Sequence, residues 1–197
     1  MTKLDRSTMI RFLVCAMLVL AATSWAQTRP PIAAQIAKTY GLDAFGQIDA
    51  IRYTFSAQFL GVHVSRSWVW QPKTDQVSYE GKDKDGKPVQ VTYVRSQLNG
   101  APANAKDDID PAFVNDQYNL LFPLHVYWDW SADVQDLGRH KLPLGKGSAK
   151  RVVVQYPSGG AYSPGDTWEL YVGSDNRVKA FIFRRGGPLK PRVGIAT

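Results

Sequence analysis

The chain of 197 residues contains a single cysteine, Cys15, and three histidines. Cys15 lies inside an apolar run at 12–22, and the preceding Leu13-Val14 lack the small side chains that a lipoprotein signal requires. We therefore interpret Cys15 as part of a leader that is removed. The remaining chain then has no thiol, which excludes disulfides, thiolate metal sites and cysteine nucleophiles.

A long apolar run is also missing, because the stretch at 12–22 is too short for a permanent membrane span. Basic residues precede it, and Ser24 and Ala26 occupy the small-residue positions that a signal peptidase recognises. The sequence predicts a signal peptide at 1–26, a single domain at 27–197 and a periplasmic or secreted location. No transmembrane helix is expected in the mature chain.

Motifs that carry chemistry are absent from the sequence as well. His63, His125 and His140 lack the spacing of metal ligands. The stretch at 157–160 is not a nucleophile elbow, and no phosphate loop or dinucleotide fingerprint occurs. The sequence therefore predicts no enzyme, no metal and no cofactor, and an unrecognised hydrolase stays open as the least favoured alternative.

The formal net charge of +7 comes from scattered basic residues, and only the pairs at 150–151 and 184–185 are adjacent. Nucleic-acid binding would require a basic stripe with interleaved aromatics, so we exclude nucleic acid as a partner. An anionic membrane surface remains a candidate partner, with a solvated basic surface as the plainer alternative.

Hydrophobic periodicity predicts a mainly β chain with two helical regions. Helical spacing indicates one helix from Ile32 to Tyr40 and a second that begins at Asp110-Pro111, with Asp110 as N-cap, and that Pro123 limits. Alternation of period two predicts about eight strands, near 51–59, 62–70, 77–79, 89–93, 133–137, 149–156, 166–172 and 177–184. The fold class is therefore α+β, mainly β: an antiparallel sheet with helices packed on one face.

Three strings of the sequence are similar to exported bacterial proteins of the LolA/LolB-like superfamily. They are the strings at 113–118 (FVNDQY), 121–125 (LFPLH) and 164–171 (PGDTWELY). The resemblance implies a curved antiparallel sheet or open half-barrel with a helical lid. Such a fold holds lipid or acyl chains against helices. Such relatives often continue with further strands, so it also implies that one edge of the sheet is open.

Aromatic side chains exceed what a minimal core requires, which suggests an apolar groove on the concave face of the sheet. The alternative is that they only fill a β core. In the groove hypothesis the sheet and lid contribute Phe55, Phe59, Arg66, Trp68, Trp70, Phe113, Tyr118 and Leu121. Arg66 would form a cationic rim for an anionic headgroup, or would pair with a carboxylate such as Asp75 or Glu80.

These observations predict an exported binding or carrier module for a lipid or another hydrophobic ligand. The first alternative is an envelope protein-interaction module without a ligand, whose open sheet edge pairs with a strand of a protein partner. A filled concave face would favour that alternative. On the second helix, Phe113 and Tyr118 should face the sheet while Asn115, Asp116 and Asn119 should face mainly away from it.

Overall fold

The computed structural model describes residues 29–59, 62–83, 85–159, 162–191 and 194–196. The predicted signal peptide, including Cys15 and the cleavage site before Gln27, lies outside these residues. This part of the chain is mainly β with helices, as predicted, and the strands within it are antiparallel and do not close into a barrel.

Among the described residues, three α-helices and three shorter helical turns accompany the strands. The α-helices are α1 (Pro31–Thr39), α2 (Asp110–Leu120) and α3 (Phe122–Trp128). Two 3₁₀ turns span Leu42–Gln47 and Arg95–Gly100, and a π-helical turn at Ala105–Ile109 leads into α2. All the segments between β4 and β5 are therefore helical or short connections.

The described strands form two sheets, one on each side of this helical insertion in the chain. The first sheet has the order β1-β2-β3-β4, and the second has the order β5-β6-β7-β8-β9. Their bounds are β1 Ile51–Phe59, β2 Val62–Gln71, β3 Gln76–Lys82, β4 Pro88–Val94, β5 Asp133–Lys141, β6 Ser148–Gln155, β7 Thr167–Val172, β8 Val178–Arg184 and β9 Gly194–Ala196.

Alternation along β1 and β2 separates an apolar face from a polar face of the first sheet. Tyr53 lies opposite Trp68, which in turn lies opposite Tyr79, so the three aromatic side chains share one face. On the other face the hydroxyl groups of Thr54 and Ser67 lie 3.2 Å apart. The apolar face needs a covering element, because burial of each large side chain stabilises the fold by about 1.5–3 kcal/mol.

Helix α2 supplies that cover and contributes to two hydrophobic cores. Phe113 packs into the core of the first sheet, with Trp68, Tyr79 and Tyr93. Tyr118 lies about one and a half turns further along the helix and packs into the core of the second sheet. Helices α1 and α3 add further apolar side chains to that second core: Ile32, Ala33, Ile36, Phe122 and Val126.

One prediction about the helical insertion is wrong, and a second is confirmed. Asp110 is not an N-cap, because Ile109 before it already has helical backbone angles and no side chain caps α2. The prediction that Pro123 limits this helix is confirmed, because α2 ends at Leu120. Pro123 itself belongs to α3 and lies in its first turn, where a proline needs no hydrogen-bond partner for its missing N–H group.

Candidate functional site

The structure brings five of the eight predicted groove residues to one layer. Four of them lie on the apolar face of the first sheet: Phe55, Arg66, Trp68 and Trp70. Each is paired in the β1–β2 ladder with a residue whose side chain is on the same face. The Phe113 ring lies 5.4 Å from the Trp68 ring and 5.8 Å from the Trp70 ring. Trp68 and Phe113 are each only 1% exposed. At this position the apolar face is therefore filled by α2.

Of the other three predicted residues, Tyr118 and Leu121 are placed elsewhere. Tyr118 packs against Phe122 in the second core, with 5.7 Å between the ring centroids. Leu121 is half-buried at the junction of α2 and α3. Phe59 ends β1 opposite Val62, and its side chain lies outside the described part of the structure.

Arg66 forms a bidentate ion pair with Asp116 of α2. Its Nε and Nη2 atoms each donate to a different carboxylate oxygen of Asp116 at 2.7 Å, and the Trp68 indole donates to the same carboxylate at 3.0 Å. These hydrogen bonds raise the pKa of Arg66. The guanidinium carbon also lies 4.8 Å from the centre of the Phe55 ring.

This pair corrects two predictions. Asp116 was expected to face away from the sheet, but its side chain is fully buried. It lies three positions after Phe113, so the two side chains share a face of α2. Arg66 pairs with Asp116 rather than with Asp75 or Glu80. Glu80 lies opposite Ser67, on the polar face of the sheet, where the Arg66 side chain does not point.

A second ion pair holds the beginning of α2. Arg95 Nε donates to Asp110 at 2.7 Å, and the Tyr93 hydroxyl donates to the same carboxylate at 3.0 Å. The Arg95 guanidinium lies 5.4 Å from the Phe113 ring centre. Buried carboxylates at the start and in the middle of α2 are thus tied to the first sheet, which fixes the helix against it.

The first sheet is split between β2 and β3. Ser67–Gln71 of β2 pair with β3, whereas 62–66 pair with β1 alone among the described residues. On the opposite side of the split, Gly81 and Lys82 of β3 pair with β4 alone. The backbone at 62–66 therefore has an edge without a strand partner in the described part of the chain.

Contacts within the β3–β4 hairpin order the side of the split that β3 forms. The Tyr79 ring lies over Gly81, and a Cβ atom at Gly81 would lie 2.3 Å from the Tyr79 hydroxyl oxygen. That hydroxyl donates to the Lys82 carbonyl at 2.7 Å. Beyond it, the Asp83 carboxylate accepts hydrogen bonds from the backbone N–H groups of Asp85 and Lys87, both at 2.9 Å. The end of the β3–β4 hairpin is thus ordered by its own contacts.

The split opens as a cleft on both faces of the sheet. The opening on the helix side has a volume of about 550 Å³, and the opening on the polar side has a volume of about 570 Å³. Both contain His63, Ser65 and Lys82. The helix side adds Val64, Arg66, Tyr79, Asp83, Gly86, Asp107, Asp108, Ile109 and Ala112. The polar side adds Ser67, Glu80, Gly81, Pro88, Val89 and Gln90.

Sequence reasoning missed this cleft. One signal was available, because the predicted strand at 62–70 is three times as long as the following one at 77–79. A long strand beside a short neighbour must leave part of one edge unpaired. The position of α2 beneath the unpaired part had no comparable signal.

A separate polar cluster surrounds Asp129, after α3. His125 Nδ1 and the Tyr156 hydroxyl contact different oxygens of Asp129 at 3.1 and 2.8 Å, and Arg29 donates to the backbone oxygens of Asp129 and Val126. Burial raises the pKa of Tyr156, which makes its hydroxyl a poor nucleophile. We interpret the cluster as a buried hydrogen-bond network that joins α3 to the second sheet.

Three comparisons with known proteins bear on identity. No family model, curated protein or solved structure matches the chain. Within the described ranges, no group of three or more His, Cys, Asp or Glu side chains is placed to hold a metal ion. In the same part of the chain, no helix has the length and apolar character needed to cross a membrane. Any function of the cleft must therefore follow from its own geometry.

Proposed function

We propose that this protein is an exported protein-interaction module that binds an extended polypeptide segment by strand addition to β2. The observation that carries the proposal is the edge at 62–66, which faces an open cleft instead of a neighbouring strand. Unpaired backbone groups at a sheet edge are templates for another strand. Export is part of the proposal and depends on the predicted signal peptide.

The length of the edge suits a short segment. At about 3.4 Å per residue, the five residues at 62–66 extend over about 17 Å. Two or three of them direct their N–H and C=O groups toward the cleft, since neighbouring residues of a strand alternate in direction. Each backbone hydrogen bond formed there would contribute about 0.5–1.5 kcal/mol.

Packing on the apolar face also favours this function over a carrier of acyl chains. Trp68 and Phe113 occupy the space that the predicted lipid groove would need. The Arg66 charge, predicted to meet a headgroup, is compensated by Asp116. Val64, Ile109 and Ala112 still give the helix side of the cleft an apolar wall, so a hydrophobic ligand is the second candidate and is tested alongside.

Binding of three related peptides would test the proposal. The peptides are Thr-Val-Thr-X-Thr-Val-Thr, with Gln, Lys or Glu as X, and each has a matched control N-methylated at alternate residues to remove backbone donors. We expect saturable binding of at least one peptide, loss of binding on N-methylation, and slower amide hydrogen exchange at 62–66. Binding would be measured by calorimetry on the exported chain.

Two outcomes would overturn the proposal. One is the absence of saturable binding by all three peptides. The other is equal binding of the N-methylated controls, because the backbone edge would then not be used. Saturable binding of a fluorescent fatty acid without peptide binding would assign the cleft to a hydrophobic ligand instead.

A further inference from the structure

The two sides of the cleft differ in chemistry. On the polar side Ser65, Ser67 and Gln90 offer uncharged groups, and Glu80 and Lys82 carry opposite charges. On the helix side Val64, Ile109 and Ala112 form an apolar wall, and Ile109 is buried. Side chains of an inserted strand alternate between the two sides, so each side selects every second residue.

The helix side also carries an excess of carboxylates. Asp83 and Asp107 line it together with Arg66 and Lys82, but Asp116 compensates the charge of Arg66 at 2.7 Å. An adjacent cavity of about 240 Å³ continues from this side. The described residues that line it are Asp83, Asp85, Ala103, Asn104, Asp107 and Asp108. The side of the cleft that faces α2 thus combines an apolar wall with a negative end.

We infer that the segment bound in the cleft presents an apolar side chain and a Lys or Arg side chain on the same, helix-facing side. This inference rests on the proposed strand addition and specifies its partner. The apolar side chain contacts Val64, Ile109 and Ala112. The basic side chain lies near the carboxylates of Asp83 and Asp107, while small polar residues occupy the alternate positions, toward Ser65 and Ser67.

The peptides Thr-Val-Thr-X-Thr-Val-Thr, with Gln, Lys or Glu as X, also test this inference. Their central residue X lies on the same face as the two valines, so the Lys peptide should bind most tightly and the Glu peptide most weakly. We expect about a tenfold difference between Lys and Glu, which decreases at high salt because the carboxylates are accessible to solvent. Replacement of both valines by alanine in the Lys peptide should make it bind more weakly than the original Lys peptide, because the apolar contacts are then lost.

A charge reversal on the protein makes the test specific. Asp107 is exposed, and Asp107→Lys should reverse the order of the Lys and Glu peptides. Asp83 is less suitable, because its carboxylate orders the hairpin turn. Asp43→Lys makes the same change in net charge at an exposed residue that does not line the cleft, and it should preserve the order.

The outcomes separate this inference from the proposed function. Equal affinity of the Lys, Gln and Glu peptides, with sensitivity to N-methylation retained, would overturn the inference and leave strand addition intact. A reversal of order in Asp43→Lys would also overturn it, because net charge alone would then explain the preference. Absence of binding by every peptide would overturn both.

Discussion

Arg66 of β2 and Asp116 of α2, separated by 50 residues in the chain, are joined by two hydrogen bonds of 2.7 Å. The carboxylate is fully buried, and the guanidinium side chain is 22% exposed. The pair therefore connects the helical insertion to the sheet next to the point where β2 loses its contact with β3. It makes the geometry of the cleft dependent on a buried charge.

Arg66→Met should destabilise the protein by about 3 kcal/mol, because it leaves the Asp116 carboxylate buried without its cation. The double variant Arg66→Met with Asp116→Asn should be less destabilised, since asparagine is neutral and still offers an acceptor to the Trp68 indole. Urea unfolding would measure both. A double variant less stable than the single one would contradict this account.

The pair Lys73–Asp49 provides a matched control. Its N–O distance is also 2.7 Å, but both side chains are largely exposed. Lys73→Met should leave the unfolding midpoint unchanged within error, because solvent screens the exposed charge. A loss as large as that of Arg66→Met would show that burial of the carboxylate is not the cause.

Gly81→Ala should destabilise the protein by about 1–3 kcal/mol, because the new Cβ atom would overlap the Tyr79 ring and displace its hydroxyl from the Lys82 carbonyl. Gly46→Ala is the control, since a Cβ atom there has no heavy atom within 4 Å and the backbone is not left-handed. Thermal unfolding would compare the two variants. Equal midpoints would argue against close packing of Tyr79 on Gly81.

The contribution of Asp129 to the free energy of unfolding should vary with pH. Burial opposes ionisation of this carboxyl, but hydrogen bonds from His125 and Tyr156 outweigh it and lower the pKa of Asp129. A lowered folded-state pKa gives a stabilisation that is present above the unfolded value of about 3.9 and is lost as the pH falls through the folded value. The destabilisation caused by Asp129→Asn should therefore be largest near neutral pH and smaller near pH 3.

Urea unfolding of the wild type and Asp129→Asn at both pH values would measure this change. A difference between the two proteins that stays constant with pH would mean that ionisation of Asp129 does not contribute. The change should appear in the free energy of unfolding and not in peptide binding, because Asp129 lies outside the cleft.

The exported protein should begin at or near Gln27. Intact-mass measurement on protein purified from its own host would check the signal-peptide prediction directly. A mass that retains residues 1–26, or one that carries a diacylglyceryl group on Cys15, would contradict it. Retention of residues 1–26 would also remove the argument for an exported location.

Several features were accessible from the sequence alone because they depend on near neighbours in the chain. The alternation from Ile51 to Phe59 predicted β1, and its bounds are the same in the structure. Asp85-Gly86 predicted the β3–β4 hairpin, where Gly86 has a positive φ of 79° that suits glycine. Helical spacing predicted that Phe113 and Tyr118 are buried, which is confirmed. Period and turn chemistry are local properties, so short windows of sequence were sufficient.

The candidate site was decided by tertiary structure. Trp68 and Trp70 were predicted to share a face, but the sequence did not indicate that Phe113 would fill the space between them. Asp116 is polar and follows Asn115, and only the packing of α2 on β2 buries it beside Arg66. The separation of β3 from β2 after Glu80 likewise occurs where the Tyr79 ring lies over Gly81. Such pairings join residues that are distant in the chain or depend on side-chain packing, and local pattern carries no information about either.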